Sequence, residues 1–238
     1  MNNKFAESDY WNHYVGNIWK RVFEKLKLNK NGIVVEIAPG DVNKIDYGLQ
    51  SFGFTGTLYV VDSNQKVAES IVKQYKKILT GCEIIPLPHT VQTLPRYLPN
   101  QIEAIVANHP FDDILLGKFL SRAESEKHFS REYGVKPEKV KRDWAEMEKD
   151  EFKLSKSKEE VVNEFRRIIS SSNPQLVAIS QYKSYYYQSH EIFSPDKNAF
   201  DVLKSLSSFY PNNQVKLKIR NITDMHRWMF LDFRHKIL

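Results

Sequence analysis

Two acidic residues at the ends of apolar stretches could hold a ligand that carries a positive charge or hydroxyl groups. Glu36 lies in the run Ile33–Ile37, and Asp62 ends the run Thr57–Asp62. Both runs have the length and the β-branched content of buried strands. The residues 38–41 between Glu36 and the next helical stretch form a tight turn. We therefore expect both carboxylates at the carboxyl ends of neighbouring strands, where α/β sheets bind ligands.

The turn is poorly suited to a diphosphate. A dinucleotide site needs several glycines so that the backbone approaches the phosphates at a helix N-terminus. Ala38 and Pro39 occupy two of those positions, and Asp41 places a negative charge where the phosphates would lie. These residues disfavour a nicotinamide dinucleotide and favour a cationic cofactor without phosphate.

S-adenosylmethionine has those properties. We predict that Glu36 holds its ammonium group, that the Gly40 backbone packs against its ribose and methionine, and that Asp62 accepts from both ribose hydroxyls. Ala38, Pro39, Asp41 and Ser63, which follows Asp62, complete this part of the predicted cofactor site. The alternative is that the acids only cap two strand ends in an unliganded fold.

A second group of reactive side chains follows the stretch Ile102–Ala107. It contains Asn108, His109, Pro110, Phe111, Asp112 and Asp113. His109 or Asp112 could act as a general base, or the two aspartates could be oxygen ligands of a metal ion. A structural alternative is a strand-ending turn with an aspartate capping the next helix. No metal site is part of the preferred interpretation.

Consecutive tyrosines follow the next apolar stretch, Gln175–Gln181. Tyr185, Tyr186 and Tyr187 cannot all face a core, so some are predicted to line a substrate pocket by stacking or by hydrogen bonding through their hydroxyls. An aromatic loop that packs on the charged segment 112–157, an insertion, fits the pattern equally well.

The order of apolar patterns predicts the fold that positions these residues. Strands alternate with amphipathic helices, which is typical of an α/β fold with parallel strands and helices on both faces. About six residues separate the last two predicted strands, which is too short for a parallel crossover. We predict a seven-stranded, mostly parallel sheet with one antiparallel strand near the C-terminus. The predicted strands are 33–37, 57–62, 83–87, 102–107, 175–181, 214–220 and 227–233.

This combination resembles the class I, Rossmann-like methyltransferases. The segment GluIleAlaProGlyAsp is similar to the family's first motif, ValValAsp62 is similar to its ribose-binding acid, and the final antiparallel strand is a family hallmark. Ala38 departs from the glycine usual at its position. The resemblance implies that Pro88, His89 and Thr90 border the adenine of S-adenosylmethionine and that Asn108 faces the transferable methyl group.

The residues after the fourth strand resemble an Asn-Pro-Pro-Phe/Tyr motif of methyltransferases that act on planar amino groups. By resemblance, Asn108 and a backbone carbonyl would orient the acceptor nitrogen, Phe111 would stack on it, and Pro110 would contact it. His109 replaces the first proline of that motif and adds a titratable group.

Length and composition agree with one domain spanning residues 1–238. Within it we predict an N-terminal helix at 8–28 and a helical insertion or lid at about 112–157. The single cysteine, Cys82, excludes an internal disulfide, and neither a secretory signal nor a membrane span is evident. We expect a cytoplasmic protein without a membrane partner; its oligomeric state is not predicted.

The net charge and the predicted lid indicate which kind of acceptor molecule to expect. The net charge of +6 is spread thinly, which permits nucleic-acid binding without demanding it. The leading prediction is a methyltransferase for a small or planar acceptor. The alternatives are an amino-group methyltransferase on nucleic acid or protein, and a non-catalytic cofactor-binding domain.

Overall fold

A computed structural model describes residues 3–40, 42–121, 124, 136–220, 222 and 224–234. Six strands form one sheet in the order β3-β2-β1-β4-β5-β6. All neighbours pair in parallel except β6, which runs antiparallel to β5. The strands are β1 (Ile33–Ile37), β2 (Thr57–Val61), β3 (Glu83–Leu87), β4 (Ala104–Asn108), β5 (Leu176–Ser180) and β6 (Trp228–Asp232).

Helices cover both faces of this sheet. Because β1 to β5 are connected through helical segments, their carboxyl ends meet at one edge. The α-helices are α1 (Asn3–Leu26), α2 (Ile45–Phe52), α3 (Gln65–Ile78), α4 (Phe111–Phe119), α5 (Pro137–Lys149), α6 (Glu151–Ser172), α7 (Tyr185–Ser189) and α8 (Ser194–Ser208). Leu94–Arg96 and Met225–Arg227 form short 3₁₀ turns.

The prediction of seven strands is wrong by one. Residues 214–220 run beside β6, but Gln214 makes only an isolated antiparallel bridge to Leu231. The Val215 N–H donates to the Phe230 carbonyl at 3.0 Å, and the Asp232 N–H donates to the Asn213 carbonyl at 2.9 Å. The alternation of apolar and charged residues in this segment therefore arises from one face packing on the core, without a full strand ladder.

The alternation of side chains along each strand divides the core in two. On one face, Val35, Ile37 and Ile105 pack with α4, α5, α6 and α8. On the other, Val34 and Val106 pack with α1, α2 and α3. The near-continuous apolar strands of the sequence are explained by this double coverage.

The described part of the predicted insertion contributes to the first of these core layers. Val140, Trp144 and Met147 are almost completely buried there. The predicted lid role of residues 112–157 stays a prediction, and residues 122–123 and 125–135 lie outside the described residues. The sheet order and the single antiparallel strand confirm the predicted Rossmann-like α/β architecture, with six strands instead of seven.

Candidate active site

One row of residues crosses the carboxyl edge of the sheet. Glu36 is in register with Val60 of β2 and with Val106 of β4, and β4 in turn brings Asn108 opposite Ser180 of β5. The strand ends therefore bring Ala38, Asp62, Asn108, Ser180 and Trp228 to the same edge. Trp228 begins the antiparallel strand, which is why its N-terminal end lies here.

The turn after β1 has an unusual backbone. Ala38 has φ of 53° and Gly40 has φ of 65°. The Ala38 N–H donates to the Val61 carbonyl at 2.8 Å, which ties the turn to β2. A positive φ is strained for alanine and easy for glycine, which explains why glycine would suit position 38. Asp41, the remaining predicted residue of this turn, lies outside the described residues.

Glu36 is buried beneath this turn. Its Oε1 accepts a hydrogen bond from the Tyr75 hydroxyl at 3.1 Å. Its Oε2 and the Oδ1 of Asn43 are buried without a donor among the described residues. Burial and the nearby Asp46 carboxyl raise the pKa of Glu36 well above its ordinary value. These two acceptors and both carboxylate oxygens of the neighbouring Asp46 are buried without a hydrogen-bond partner among the described residues.

Asp62 lies one residue beyond β2. Its Oδ1 accepts a hydrogen bond from the Asn64 N–H at 2.8 Å, and this contact orients the carboxylate. The neighbouring Ser63 is exposed. Past β3, the His89 ring stacks on Tyr97 with centroids 3.6 Å apart and planes inclined by 8°. The predicted adenine border thus contains a flat aromatic pair on the same side of the molecule.

Asn108 ends β4 and is held by three side chains. Its Oδ1 accepts hydrogen bonds from Trp19 Nε1 at 2.9 Å and from Ser180 Oγ at 3.2 Å. Its Nδ2 donates to the Tyr182 hydroxyl at 3.1 Å. The amide oxygen that was predicted to receive an acceptor N–H already has two donors in this structure.

His109 lies between two carboxylates. Its Nδ1 is 2.9 Å from Asp112 Oδ1, and its Nε2 is 3.6 Å from Asp196 Oδ1. Burial alone would lower the pKa of His109, but the two carboxylates raise it well above its ordinary value. Its φ of 60° and the hydrogen bond from its N–H to the Ser180 carbonyl fix this position. These contacts favour the protonated form of His109, which disfavours a general-base role near neutral pH.

Asp112 is engaged on both carboxylate oxygens. Oδ1 accepts from Gln181 Nε2 at 3.2 Å in addition to its contact with His109, and Oδ2 accepts from the Tyr187 hydroxyl at 2.9 Å. Burial opposes ionisation, but His109 and these donors lower the pKa of Asp112 overall. This arrangement orients His109 and disfavours a metal-ligand role. Among the described residues, no cluster of three or more His, Cys, Asp or Glu residues could hold a metal ion.

Two residues of the predicted acceptor site lie inside the fold. Phe111 is fully buried and packs edge-on against Phe165, with ring centroids 5.0 Å apart. Pro110 is also buried, at the start of α4. Because the Phe111 ring belongs to the core in this structure, we do not assign it the stacking role.

The predicted tyrosine cluster forms the short helix α7. Tyr187 is buried and bound to Asp112, whereas Tyr186 is partly exposed and packs near His190 with ring centroids 4.6 Å apart. The side chain of Tyr185 lies outside the described residues. Tyr187 thus has a structural contact, and the Tyr186 ring is partly exposed at the surface.

An aromatic pocket of about 320 Å³ lies next to Asn108. We use "aromatic pocket" for the space between α1, the loop after β5 and the start of β6. Trp11 stacks on Tyr14 with centroids 5.4 Å apart and meets Tyr182 edge-on at 6.1 Å. Its other lining residues are Tyr10, Val15, Ile18, Lys183, Ile222, Asp224 and Trp228. Such a pocket favours a planar ligand.

The sequence reasoning did not single out four residues that organise this edge. Tyr182, Lys44 and Trp19 converge on Asn108 or on the aromatic pocket, and Asp196 completes the surroundings of His109. Tyr182 could have been found, because it belongs to the tyrosine-rich stretch after β5. The others come from distant parts of the chain without a local signal.

Similarity of this chain to known proteins is seen among solved structures. No family model matches the chain, and no curated protein matches it by sequence. Among solved structures, it is similar to a candidate rRNA methylase from Clostridium thermocellum, with 11% identity, 97% of this chain and 96% of that chain covered, and a TM-score of 0.48.

Two further structures are similar over most of their length. A candidate methyltransferase from Streptococcus mutans in complex with S-adenosylhomocysteine has 13% identity, covers 98% of this chain and 99% of its own, and gives a TM-score of 0.46. The methyltransferase domain of bacterial CtHen1 has 10% identity, with coverages of 92% and 95% and a TM-score of 0.45. The basis for a functional proposal is therefore the sheet order and the side chains of the site.

Proposed function

We propose that this protein is a methyltransferase that uses S-adenosylmethionine and acts on a small planar acceptor. The observation that carries the proposal is the pair of acids at the ends of β1 and β2, Glu36 and Asp62, on either side of a turn with positive φ at Ala38 and Gly40. This pair lies at the edge of an α/β sheet where ligands bind.

The donors and acceptors of the site fit this cofactor. The buried Oε2 of Glu36 and Oδ1 of Asn43 lack donors, and an α-ammonium group would supply N–H donors and a positive charge. Asp62 would accept hydrogen bonds from the ribose hydroxyls. Ala38, Pro39, Gly40, Asp41 and Ser63 would enclose the methionine and ribose, and His89 with its stacked partner Tyr97 would border the adenine.

The bound cofactor would supply an electrophilic methyl group. The chain's own residues would bring the acceptor into line with that group and exclude water, so proximity and orientation would supply most of the rate enhancement. Asn108 would not bind the acceptor directly, because its amide already makes three hydrogen bonds. It would instead fix the positions of the side chains around it, which are Trp19, Ser180 and Tyr182. His109 would supply a positive charge fixed by Asp112.

The aromatic pocket would hold the acceptor. Its size is at the small end for a ligand site, and its aromatic walls suit a flat molecule. Tyr186 would lie along the approach from the β5 side, and the substrate contact of Tyr185 stays a prediction from the sequence. These features favour a small molecule over a folded macromolecule as the acceptor.

Calorimetric titration with S-adenosylmethionine and S-adenosylhomocysteine tests the proposal. We expect the wild-type chain to bind both, and Asp62→Ala to lose at least about tenfold in affinity because the ribose hydroxyls lose charge-assisted hydrogen bonds. Glu69→Ala, which removes an exposed acid from α3, is the matched control and should bind normally. Binding of NAD without binding of either sulfur compound would contradict the proposal.

A further inference from the structure

Tyr182 connects the aromatic pocket to the end of β4. It lies two residues beyond β5, its ring lines the pocket, and its hydroxyl oxygen accepts the hydrogen bond from Asn108 Nδ2 at 3.1 Å. A ligand in the pocket would therefore lie beside this phenol and close to the edge where transfer is proposed.

The orientation of the Asn108 amide is fixed by its other contacts. Because Trp19 Nε1 and Ser180 Oγ both donate to Asn108 Oδ1, the amide must turn its N–H groups towards Tyr182. An N–H donor aimed at a phenol oxygen favours the ionised form of that phenol. These hydrogen bonds therefore make ionisation of the Tyr182 hydroxyl more favourable.

Two cations adjoin the same phenol. Lys44, in the loop before α2, places Nζ 5.9 Å from the centre of the Tyr182 ring, and the His109 ring is centred 5.2 Å away. Burial opposes ionisation of Tyr182, but Lys44, His109 and the Asn108 hydrogen bond together lower its pKa.

The remaining titratable groups around Tyr182 come from several elements. Asp112 from α4 and Asp196 from α8 face His109 and are paired with it. Tyr14 from α1, with Lys183 and Asp224, shares the pocket lining. The contacts of His109 favour its protonated form, and Asp112 accepts hydrogen bonds on both oxygens, so neither is as well placed as Tyr182 to accept a proton from a ligand in the pocket.

We propose that Tyr182 is the general base of this site and removes the proton of a hydroxyl-bearing aromatic acceptor bound in the aromatic pocket. This inference rests on the proposed methyltransferase function. The acceptor oxygen forms its bond to the methyl carbon as the carbon–sulfur bond breaks and the sulfonium becomes a neutral thioether. The acceptor proton passes to the Tyr182 phenolate, which later returns it to water.

Titration of tyrosine ionisation in the full chain without cofactor tests the first part of the inference. The near-ultraviolet absorbance of phenolate is followed against pH for the wild type and for Tyr182→Phe. We expect the difference to show one phenol that ionises below the ordinary tyrosine pKa of about 10. Lys44→Met should raise the pKa of this phenol, since it removes a neighbouring cation.

Tyr210→Phe is the matched control for the titration. Burial raises the pKa of Tyr210, and its ring packs against Phe233 at a distance from the pocket. This substitution should not remove the phenol that ionises below the ordinary tyrosine pKa. A Tyr182 that ionises at or above the ordinary pKa would overturn the inference, whether or not the protein binds S-adenosylmethionine.

Methyl transfer to two probes, phenol and 4-nitrophenol, tests the catalytic role. Tyr182→Phe should lower transfer to phenol by about 100-fold or more, as expected for loss of a general base. It should affect 4-nitrophenol far less, because that probe is much more acidic than phenol and is substantially ionised slightly above neutral pH without a base. Equal losses for both probes would indicate a structural role and overturn the inference.

The two proposals fail in different ways. Absence of calorimetric binding of S-adenosylmethionine would contradict the proposed function. Normal cofactor binding together with transfer to both probes that does not depend on Tyr182 would contradict only the role of this residue.

Discussion

At the scale of single residues, the buried carboxyl of Glu36 links cofactor binding to pH. Its pKa is raised by burial and by Asp46, whose own pKa burial raises to about 7. Burial and Asp46 therefore favour the protonated carboxyl in the free protein, and a bound ammonium group would favour its ionised form. We expect the affinity for S-adenosylmethionine to rise as the pH rises through the raised pKa of Glu36.

Calorimetry in two buffers with different ionisation enthalpies checks this expectation by measuring proton release upon binding. Asp46→Asn should lower the pKa of Glu36, because it removes a neighbouring negative charge, and should reduce the number of protons released. Affinity that falls as pH rises over the same range would contradict this role of Glu36.

The His109–Asp112 pair makes stability depend on pH in a specific window. The raised pKa of His109 contributes stability that is present below the unfolded value of about 6.5 and is lost as pH rises through the folded value. The lowered pKa of Asp112 contributes stability that is present above about 3.9 and is lost as pH falls through its folded value. Both contributions are therefore complete between about pH 4 and pH 6.5.

We expect Asp112→Asn to lower the free energy of unfolding by about 3 kcal/mol in that window, because it leaves a buried cation without its nearest partner. The loss should shrink outside the window. Urea unfolding at several pH values measures it. Tyr187→Phe removes only a hydrogen bond to Asp112 and should cost about 1 kcal/mol with little pH dependence.

The residue types at the edge of β4 could be predicted from the sequence, but their orientations could not. The position of Asn108 after an apolar run placed it at the edge correctly. Its amide direction depends on Trp19, 89 residues away, and His109 is contacted by Asp196 from α8 as well as by the nearby Asp112. No local pattern carries such contacts.

At the scale of elements, helices α1 and α2 cross where each has a glycine, Gly16 in α1 and Gly48 in α2. A Cβ at Gly48 would lie 2.6 Å from the Cβ of Trp19, and one at Gly16 would lie 2.7 Å from the Cβ of Tyr47. This close approach positions α1, and therefore the Trp19 indole, against the end of β4. The spacing of apolar residues predicted α1 as an amphipathic helix but not this crossing.

We expect Gly48→Ala to destabilise the protein by about 1–3 kcal/mol through overpacking and to disturb the Trp19–Asn108 hydrogen bond. Chemical unfolding with tryptophan fluorescence as the readout checks both effects. At Gly81 an added Cβ would meet only Thr55 Cγ2 at 3.5 Å. Gly81→Ala is thus the matched control, and a loss as large as that of Gly48→Ala would argue against the crossing as the cause.

The strands show which part of the sheet the sequence can predict. Buried strands such as β1 and β5 have apolar residues on both faces, and their predicted bounds were accurate to one or two residues. Residues 214–220 pack on the core through one face only. An alternating pattern of apolar and charged residues does not reveal whether the backbone also forms a continuous row of hydrogen bonds to a neighbouring strand. The prediction of a strand failed there for that reason.

At the scale of the whole molecule, the aromatic pocket is built from three distant segments: α1, the loop after β5 and the residues before β6. The sequence predicted these segments one by one. Their contact in one pocket depends on the order of the strands in the sheet, which no single segment reveals. No helix among the described residues is long and apolar enough to cross a membrane.

The thinly spread net charge of +6 allows a test of the nucleic-acid alternative. We expect this protein to bind a structured RNA weakly. The logarithm of the association constant should then change little with the logarithm of the salt concentration. The expected slope is about −2, which corresponds to about two neutralised phosphates. Fluorescence anisotropy from 50 to about 200 mM salt measures it. A slope of about −6 or steeper would favour a nucleic-acid acceptor.

Arg234 couples the end of the described chain to its beginning. Its Nη2 donates to the Leu26 carbonyl at 2.8 Å across 208 residues, and Asp232 holds the same guanidinium. The contacts of α1 therefore differ widely in sequence separation: α1 packs on the nearby α2 through Gly16 and Gly48, whereas the last carbonyl of α1 is bound by Arg234. Because contacts of large sequence separation form slowly, we expect the α1–α2 packing to form first and the Arg234 contact to fix the end of the helix late in folding.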